Sequence, residues 1–299
     1  MNVLSIDLES WLHKYFFNLD TAAKKKKDAG YIRQATLDIL EILEKNRIKT
    51  TFFIPSEIFD WDPWLIHKIR DMGHEIGFHT HTHRILRHKE DLLEELSMGR
   101  NFIEEFDCKG FRAPEMYIKK DYLRILRDHG FVYDSSIYSE FKVFAPIDGL
   151  LEAPVSTYPL FESGTTISFP RNLTINLMLR EIPFGSGYYI GLLGSKVGFF
   201  IKKYNRKGKG ANLLIHPWQI IDTPVVSGSD KGNLIRRIEM IPYNLNRRRA
   251  FNILLQSHSF VPMIRIINTF GNNTGNPGSK LKGEQHVEKV KSRSIGPQS

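Results

Sequence analysis

The chain has 299 residues, 41% of them hydrophobic, and a single cysteine, Cys108. That is enough for one large core and too few thiols for an intrachain disulfide or a cysteine zinc site. Its formal charge of +9 favours anionic partners, yet no run approaches the roughly 18–20 apolar residues that span a bilayer, and no recognition-helix pattern or aromatic-interleaved basic stripe points to nucleic acid.

In chain order, Val3 to Ile6 reads as a strand at the very start, with no charged segment and apolar core of a signal peptide, so a cytoplasmic protein with electrostatic contact to a membrane surface is expected. Lys24 to Lys27 reads as a solvated basic loop. Ile32 to Asn46 carries an apolar stripe at helical spacing, and Thr50 to Ile54 is the next strand. Asp60-Trp61-Asp62-Pro63 opens a helix that Gly73 ends. Strands at Glu75–Phe78, Gly110–Arg112 and Phe131–Tyr133 alternate with helices over Asp91–Phe106 and Asp121–His129. From about 150 to 186, Pro154, Pro159, Pro170 and Pro183 punctuate strand-like pieces such as Thr165–Phe169 without a crossover helix, an inserted β region beside the barrel mouth. Alternation resumes with a helix over Leu192–Arg206, a strand over Asn212–Ile215, a helix ending near Ser257 and a strand at Phe260–Met263. The expectation is one α/β domain over residues 1–270, a distorted TIM-like (β/α) barrel of seven strands, followed by a polar, basic and disordered tail over 271–299.

Active sites of such barrels gather at the C-terminal ends of the strands. Here those ends carry Asp7 and Glu9, then His79-Thr80-His81-Thr82-His83, Arg112, Asp134 and His216. Asp7 and Glu9 lie two apart on an extended chain and share a face, so one carboxylate can hold a metal while the other takes a proton from water. Either His79 with His83 or His79 with His81 can bring two imidazoles to one ion. Each residue alone has an ordinary explanation: a surface ion pair for Arg112, a turn for Asp134, a packed core histidine for His216. Their joint appearance at successive strand ends argues for chemistry.

The same residues carry a resemblance to the polysaccharide deacetylases of the NodB-homology type, carbohydrate esterase family 4. Ser5-Ile-Asp7-Leu-Glu9 resembles the first family motif, Glu75 to His83 the second, Gly110-Phe-Arg112-Ala-Pro114 the third, Tyr133-Asp134-Ser-Ser136 the fourth and Leu214-Ile-His216-Pro-Trp218 the fifth. Pro183-Phe-Gly-Ser-Gly-Tyr188-Tyr189 resembles a stretch of the bacterial exopolysaccharide-associated branch. The resemblance implies Asp7 as general base, a divalent metal, Zn2+ first, on Glu9, His79 and His83, and Arg112 orienting Asp7. It further implies His216 as the acid with Asp134 holding its imidazole, and a backbone amide near Glu115 as oxyanion donor. His81 becomes a bystander, with its ligation the alternative. Trp218, Tyr188 and Tyr189 could stack on a sugar, line an acetyl pocket or pack in the core. The implied function is removal of N-acetyl from an amino sugar of a glycan or of a lipid- or nucleotide-linked precursor. The rival readings are an allantoinase-like hydrolase of small cyclic amides and a glycan-binding protein without turnover. Departures from the family pattern are Glu9 in place of an aspartate next to the first, and Glu115-Met116 after the third motif.

Overall fold

The computed structural model describes residues 1–15, 19–142, 146–161, 167–223, 241–242 and 245–273. Its strands are β1 (Asn2–Asp7), β2 (Thr51–Ile54), β3 (Glu75–Phe78), β4 (Gly110–Phe111), β5 (Tyr133–Asp134), β6 (Tyr138–Ser139), β7 (Leu151–Glu152), β8 (Val155–Ser156), β9 (Tyr158–Pro159), β10 (Glu181–Ile182), β11 (Asn212–Ile215) and β12 (Phe260–Val261). The main sheet runs β11-β1-β2-β3-β4-β5-β7 in parallel, and β12 pairs with β1 beside that path. This is the expected distorted barrel of seven strands with an added eighth. All six residues of β1 and all four of β2 are buried, as a parallel sheet covered by helices requires.

The helices are α1 (Trp11–Tyr15), α2 (Thr21–Asp28), α3 (Tyr31–Lys45), α4 (Glu57–Trp61), α5 (Pro63–Asp71), α6 (Lys89–Met98), α7 (Arg100–Glu105), α8 (Tyr122–Asp128), α9 (Ile175–Arg180), α10 (Gly187–Leu193), α11 (Gly198–Arg206), α12 (Arg248–Ser257) and α13 (Met263–Asn273). The stripe of α3 buries Ile32, Ile39, Leu40, Ile42 and Leu43 in the core, each contributing roughly 1.5–3 kcal/mol. Asp62 caps α5 through its carboxylate, which accepts from the Leu65 amide, with Pro63 in the first turn.

Several expectations are corrected. Lys24 to Lys27 lie in α2, not in a loop, and Lys24 is buried. The helix expected over Asp91–Phe106 breaks at Gly99 into α6 and α7. The fifth strand sits at Tyr133–Asp134, after Phe131, and Met263 starts α13 instead of ending a strand. The insertion is not free of helix: α9 lies within it, and its first strand, β7, joins the main sheet. The piece Thr165–Phe169 begins outside the described residues, and its described part forms no strand. α13 runs past residue 270 to Asn273, and the rest of the basic tail lies outside the described residues.

The ends of the sheet path, β7 and β11, are joined through the insertion. The Asn212 amide donates to Ser156 Oγ at 2.7 Å and the Gly185 amide to the Ser156 carbonyl at 2.9 Å. The Leu214 amide donates to the Gly185 carbonyl at 2.7 Å. A Cβ at residue 185 would stand 2.3 Å from the Asn212 carbonyl oxygen, so this seam needs glycine. Register does the rest. Ile6 pairs with Phe52 and Ile215, Ile54 with Phe78, Phe78 with Phe111, and Phe111 with Asp134, which brings the residues after each strand to one end.

Candidate metal centre and active site

Immediately after β1 the Glu9 amide turns back onto the Asp7 carbonyl at 2.8 Å. Both carboxylates still come within 3.8 Å of His79 Nε2. Glu9 Oε1 lies 3.0 Å from His79 Nε2 and 3.0 Å from His83 Nε2, and 3.8 Å from His216 Nε2. Asp7 Oδ2 stands 3.8 Å from His79 Nε2. Donor atoms of Glu9, His79 and His83 fall within 4.8 Å of one another, as do those of Asp7, Glu9 and His216. A tetrahedral zinc with bonds of ~2.0–2.2 Å sets its ligand atoms about 3.3 Å apart, so the Glu9–histidine spacings fit a small divalent ion.

Protonation fits as well. His79 Nδ1 donates to the Arg112 carbonyl at 2.7 Å, which fixes the ring with Nε2 toward Glu9. Burial alone would raise the Glu9 carboxyl; the His83 charge and the hydrogen bonds of His79 and His83 outweigh it and hold Glu9 well below the usual range. Burial alone would lower His83, and the Glu9 charge and hydrogen bond push it up instead.

The loop that carries the two histidines is strained and tied down. Thr80 and His83 both have φ of 64°, a conformation costing roughly 1–3 kcal/mol for such residues. Glu95 of α6 accepts from the His81 amide at 2.6 Å, the Thr82 amide at 2.7 Å and Thr82 Oγ1 at 2.6 Å. Lys24 Nζ donates to the Thr82 carbonyl at 3.0 Å and to Glu57 Oε1 at 2.6 Å, and the Glu57 amide donates to the His81 carbonyl at 3.1 Å. Glu57 Oε1 also lies 2.9 Å from His13 Nε2. His81 turns the other way, its Nδ1 2.8 Å from Ser56 Oγ, so the pairing that the structure brings to Glu9 is His79 with His83.

Arg112 is fully buried. One terminal nitrogen donates to Asp7 Oδ1 at 2.6 Å and Ser5 Oγ at 2.9 Å, the other to Ser135 Oγ at 2.8 Å, and Nε donates to the Ser135 carbonyl at 2.9 Å. The guanidinium also lies 4.1 Å over the Phe53 ring. This fixes Asp7 through Oδ1.

Asp134 does not take the place expected for it. Its carboxylate accepts from Ser136 Oγ at 2.5 Å and the Ser136 amide at 3.1 Å, and its register partner is Glu152. Burial raises both carboxyls, and the charge of Asp134 drives Glu152 well above the usual range. Gln219 Oε1 lies 3.1 Å from His216 Nδ1 and accepts from the His216 amide at 3.0 Å. Gln219 Nε2 donates to the Gly187 carbonyl at 2.7 Å, which turns Oε1 toward the imidazole. Trp218 stacks on His216 at 4.5 Å and 18° and packs with Trp11, Leu12 and Tyr31, so its indole supports the histidine. Tyr188 and Tyr189, half-buried, open α10 with their rings 5.7 Å apart. Glu115 is exposed on a 3-10 turn where Glu115 and Met116 have φ of 53° and 55°, and its charge reaches His83.

Lys24, Glu57, Glu95, Glu152 and Gln219 were not foreseen among the site residues. Gln219 alone had a local signal, standing three residues after His216 at the start of a turn.

The fold and this constellation bring carboxylates and imidazoles together at one end of a barrel of parallel strands, a donor set that could hold a metal ion. Residues 27–133 match the polysaccharide deacetylase family model, a stretch holding His79, His83 and Arg112 but neither β1 nor His216. The peptidoglycan deacetylase-like protein FGM2 of Gibberella zeae is 28% identical over 152 residues, which cover 48% of this chain and 44% of that protein. The chain thus matches less than half the length of that curated relative. A solved Mycobacterium smegmatis structure assigned to the polysaccharide deacetylases superposes with a TM-score of 0.58 at 16% identity, covering 95% of this chain and 96% of that one. The solved Puue allantoinase superposes with a TM-score of 0.55 at 14% identity over 90% and 89%. Likeness at such identities speaks for the fold alone. The chain is thus similar to polysaccharide deacetylases in sequence over residues 27–133 and in fold over most of its length.

Proposed function

We propose that this protein removes the N-acetyl group from an amino sugar of a glycan or glycan precursor, with a divalent ion, Zn2+ by its donor set, held by Glu9, His79 and His83. The observation that carries this reading is Glu9 Oε1 at 3.0 Å from both imidazoles, with the Arg112–Asp7 pair and His216 on either side. Bound there, the ion supplies Lewis acidity and an activated water. Asp7, with Oδ1 taken by Arg112, turns Oδ2 to the cavity and accepts the water's proton. The hydroxyl adds to the acetamide carbonyl, and a backbone amide near Glu115 donates to the oxygen that gains charge. His216 gives a proton from Nε2 to the departing nitrogen, the C–N bond breaks, and amine and acetate leave. The basic character of the chain, +9, supports a substrate carried on a lipid or nucleotide phosphate. No helix among the described residues is long and apolar enough to cross a membrane.

The test joins metal analysis to acetate release. Zinc-loaded protein is expected to liberate acetate from N-acetylglucosamine oligomers or a lipid-linked N-acetylhexosamine. Glu9→Ala, His79→Ala and His83→Ala are expected to lose bound zinc and to lose turnover by on the order of a thousandfold. Opening of allantoin with no acetate from any acetylated hexosamine would transfer the site to the cyclic-amide reading. Glycan binding that survives Asp7→Ala and His216→Ala, with no acetate from the unsubstituted protein, would make it a binding protein.

A further inference from the structure

A groove of about 710 Å³ opens between α10, α11, α12 and the turn Gly194–Val197. Its lining is apolar, with Ile182, Tyr189, Leu193, Phe199 and Ile253 among the contributors, and Lys196 and Lys202 stand at its rim. Phe199 is 64% exposed, Leu192 beside it in sequence to Leu193 is 47% exposed, and Ile253 is 40% exposed. Large apolar side chains grouped in this way on a folded surface mark an interaction site.

The segments that wall the groove carry charge of one sign, with Glu181 and Asp222 just outside them and Arg248 3.7 Å from Asp38. From Ile182 to Ile221 the sequence has six lysines and arginines and no acidic residue, and residues 245–273 add four more, again with no acidic residue. Both segments build the walls of the groove. Lys202, Arg206, Lys207 and Arg248 are exposed, and Lys203 lies 4.4 Å over the Tyr158 ring. An apolar slot ringed by cations complements a surface that is anionic outside and apolar beneath, which is an acidic phospholipid leaflet. A second copy of the chain would bring an equally cationic face against this one and be repelled.

We propose that this groove docks the protein on an anionic phospholipid bilayer, with Phe199 and Ile253 entering the acyl region and Lys196 and Lys202 against headgroup phosphates. The helix α10 separates the groove from the candidate acid: it begins at Gly187, where a Cβ would stand 3.1 Å from His216 Nδ1, and Tyr189, two residues on and so on the other side of the helix, lines the groove. Docking there sets the site beside the lipid surface. The inference deepens the proposed action on a lipid-borne precursor, and its test reads binding without turnover, so the two fail separately.

The experiment is sedimentation of the full chain with vesicles of phosphatidylcholine alone and of phosphatidylcholine with about one third phosphatidylglycerol. Binding is expected to the second only, and to fall as salt rises. Lys196→Ala with Lys202→Ala is expected to weaken partitioning on the order of tenfold, and Phe199→Ser with Ile253→Ser by a similar factor that salt does not change. All four side chains stand at the groove rim, and the melting midpoint of each variant checks that it folds. The basic tail is common to every variant, so the differences report on the groove. Vesicle binding unchanged by both double variants, or no preference for the anionic vesicles, overturns the proposal. So does a concentration-dependent dimer that Phe199→Ser with Ile253→Ser dissolves, which would give the groove to a second copy.

Discussion

The two sides of the candidate site are held by different means. On the metal side the loop from His79 to His83 takes two left-handed residues, Thr80 and His83, and is fastened by charged groups, the Glu95 carboxylate and the Lys24–Glu57 pair. On the acid side His216 is held by neutral groups, the Gln219 amide and the Trp218 ring. The contrast follows from what each side must do. A strained loop needs strong charge-assisted hydrogen bonds to keep two imidazoles on one carboxylate, whereas a proton donor needs one orientation and one tautomer.

The largest expected effect that tests this contrast lies in the charged side. Glu57 has no exposed side-chain surface and shares Oε1 between Lys24 and His13. Burial would raise its carboxyl, but His13 and Lys24 prevail and bring it from an ordinary 4.5 down to about 2. A folded pKa below the unfolded one gives stability that is fully present above the unfolded value and is lost as pH falls through the folded value. From the 4.5 and about 2 of Glu57 that amounts to on the order of 3 kcal/mol near neutral pH, lost across the window between those values. Urea unfolding of the wild type and of Glu57→Gln is therefore expected to show a gap of that order at pH 7 that narrows below pH ~4.5. A gap independent of pH would mean that the Lys24–Glu57 pair does not carry charge as described.

Next in size is the clamp on the loop itself. Glu95 accepts three hydrogen bonds from His81 and Thr82 and touches no candidate metal ligand directly. Glu95→Ala is expected to weaken zinc binding roughly ten- to a hundredfold in competition with a chelator, as loss of an outer-shell support does. An unchanged zinc affinity would assign the loop conformation to its own backbone, and the contrast between the two sides would go.

What was legible in the sequence and what was not follow the same division. The strand ends could be read because a strand's period and its terminal polar residue are local, so Asp7, Glu9, His79, His83, Arg112 and His216 reach the cavity as the register of β1, β3, β4 and β11 dictates. Lys24 could not, because four consecutive lysines read as a solvated run until α2 packs one of them against Glu57. Glu95 sits in an acidic helix where every carboxylate reads alike, and only the fold shows which one is buried. The family resemblance gives Asp134 to His216, and only the fold shows that Glu152 arrives opposite Asp134 on the neighbouring strand β7. The insertion that supplies β7 has no periodic pattern long enough to reveal a main-sheet strand of two residues.

The smallest expected effect falls on the acid side and decides whether its neutral support matters. Gln219 is fully buried, and its amide is oriented from behind: Nε2 donates to the Gly187 carbonyl at 2.7 Å, so Oε1 must face His216 Nδ1. An acceptor at Nδ1 keeps the proton there in the neutral ring and aims Nε2 at the cavity, where Glu9 Oε1 lies 3.8 Å away. Gln219→Leu removes the acceptor without opening much space, and is expected to lower kcat by roughly tenfold with KM little changed, part of the contribution of a positioned acid. Gln219→Glu restores an acceptor toward Nδ1 but loses the donor to the Gly187 carbonyl, and is expected to recover part of that loss. Gly187→Ala is expected to reproduce the Leu variant by another route, since its Cβ would stand 2.6 Å from Gln219 Oε1. Equal kcat in Gln219→Leu and Gln219→Glu would reduce Gln219 to packing, and the orientation of His216 would then rest on the Trp218 stack.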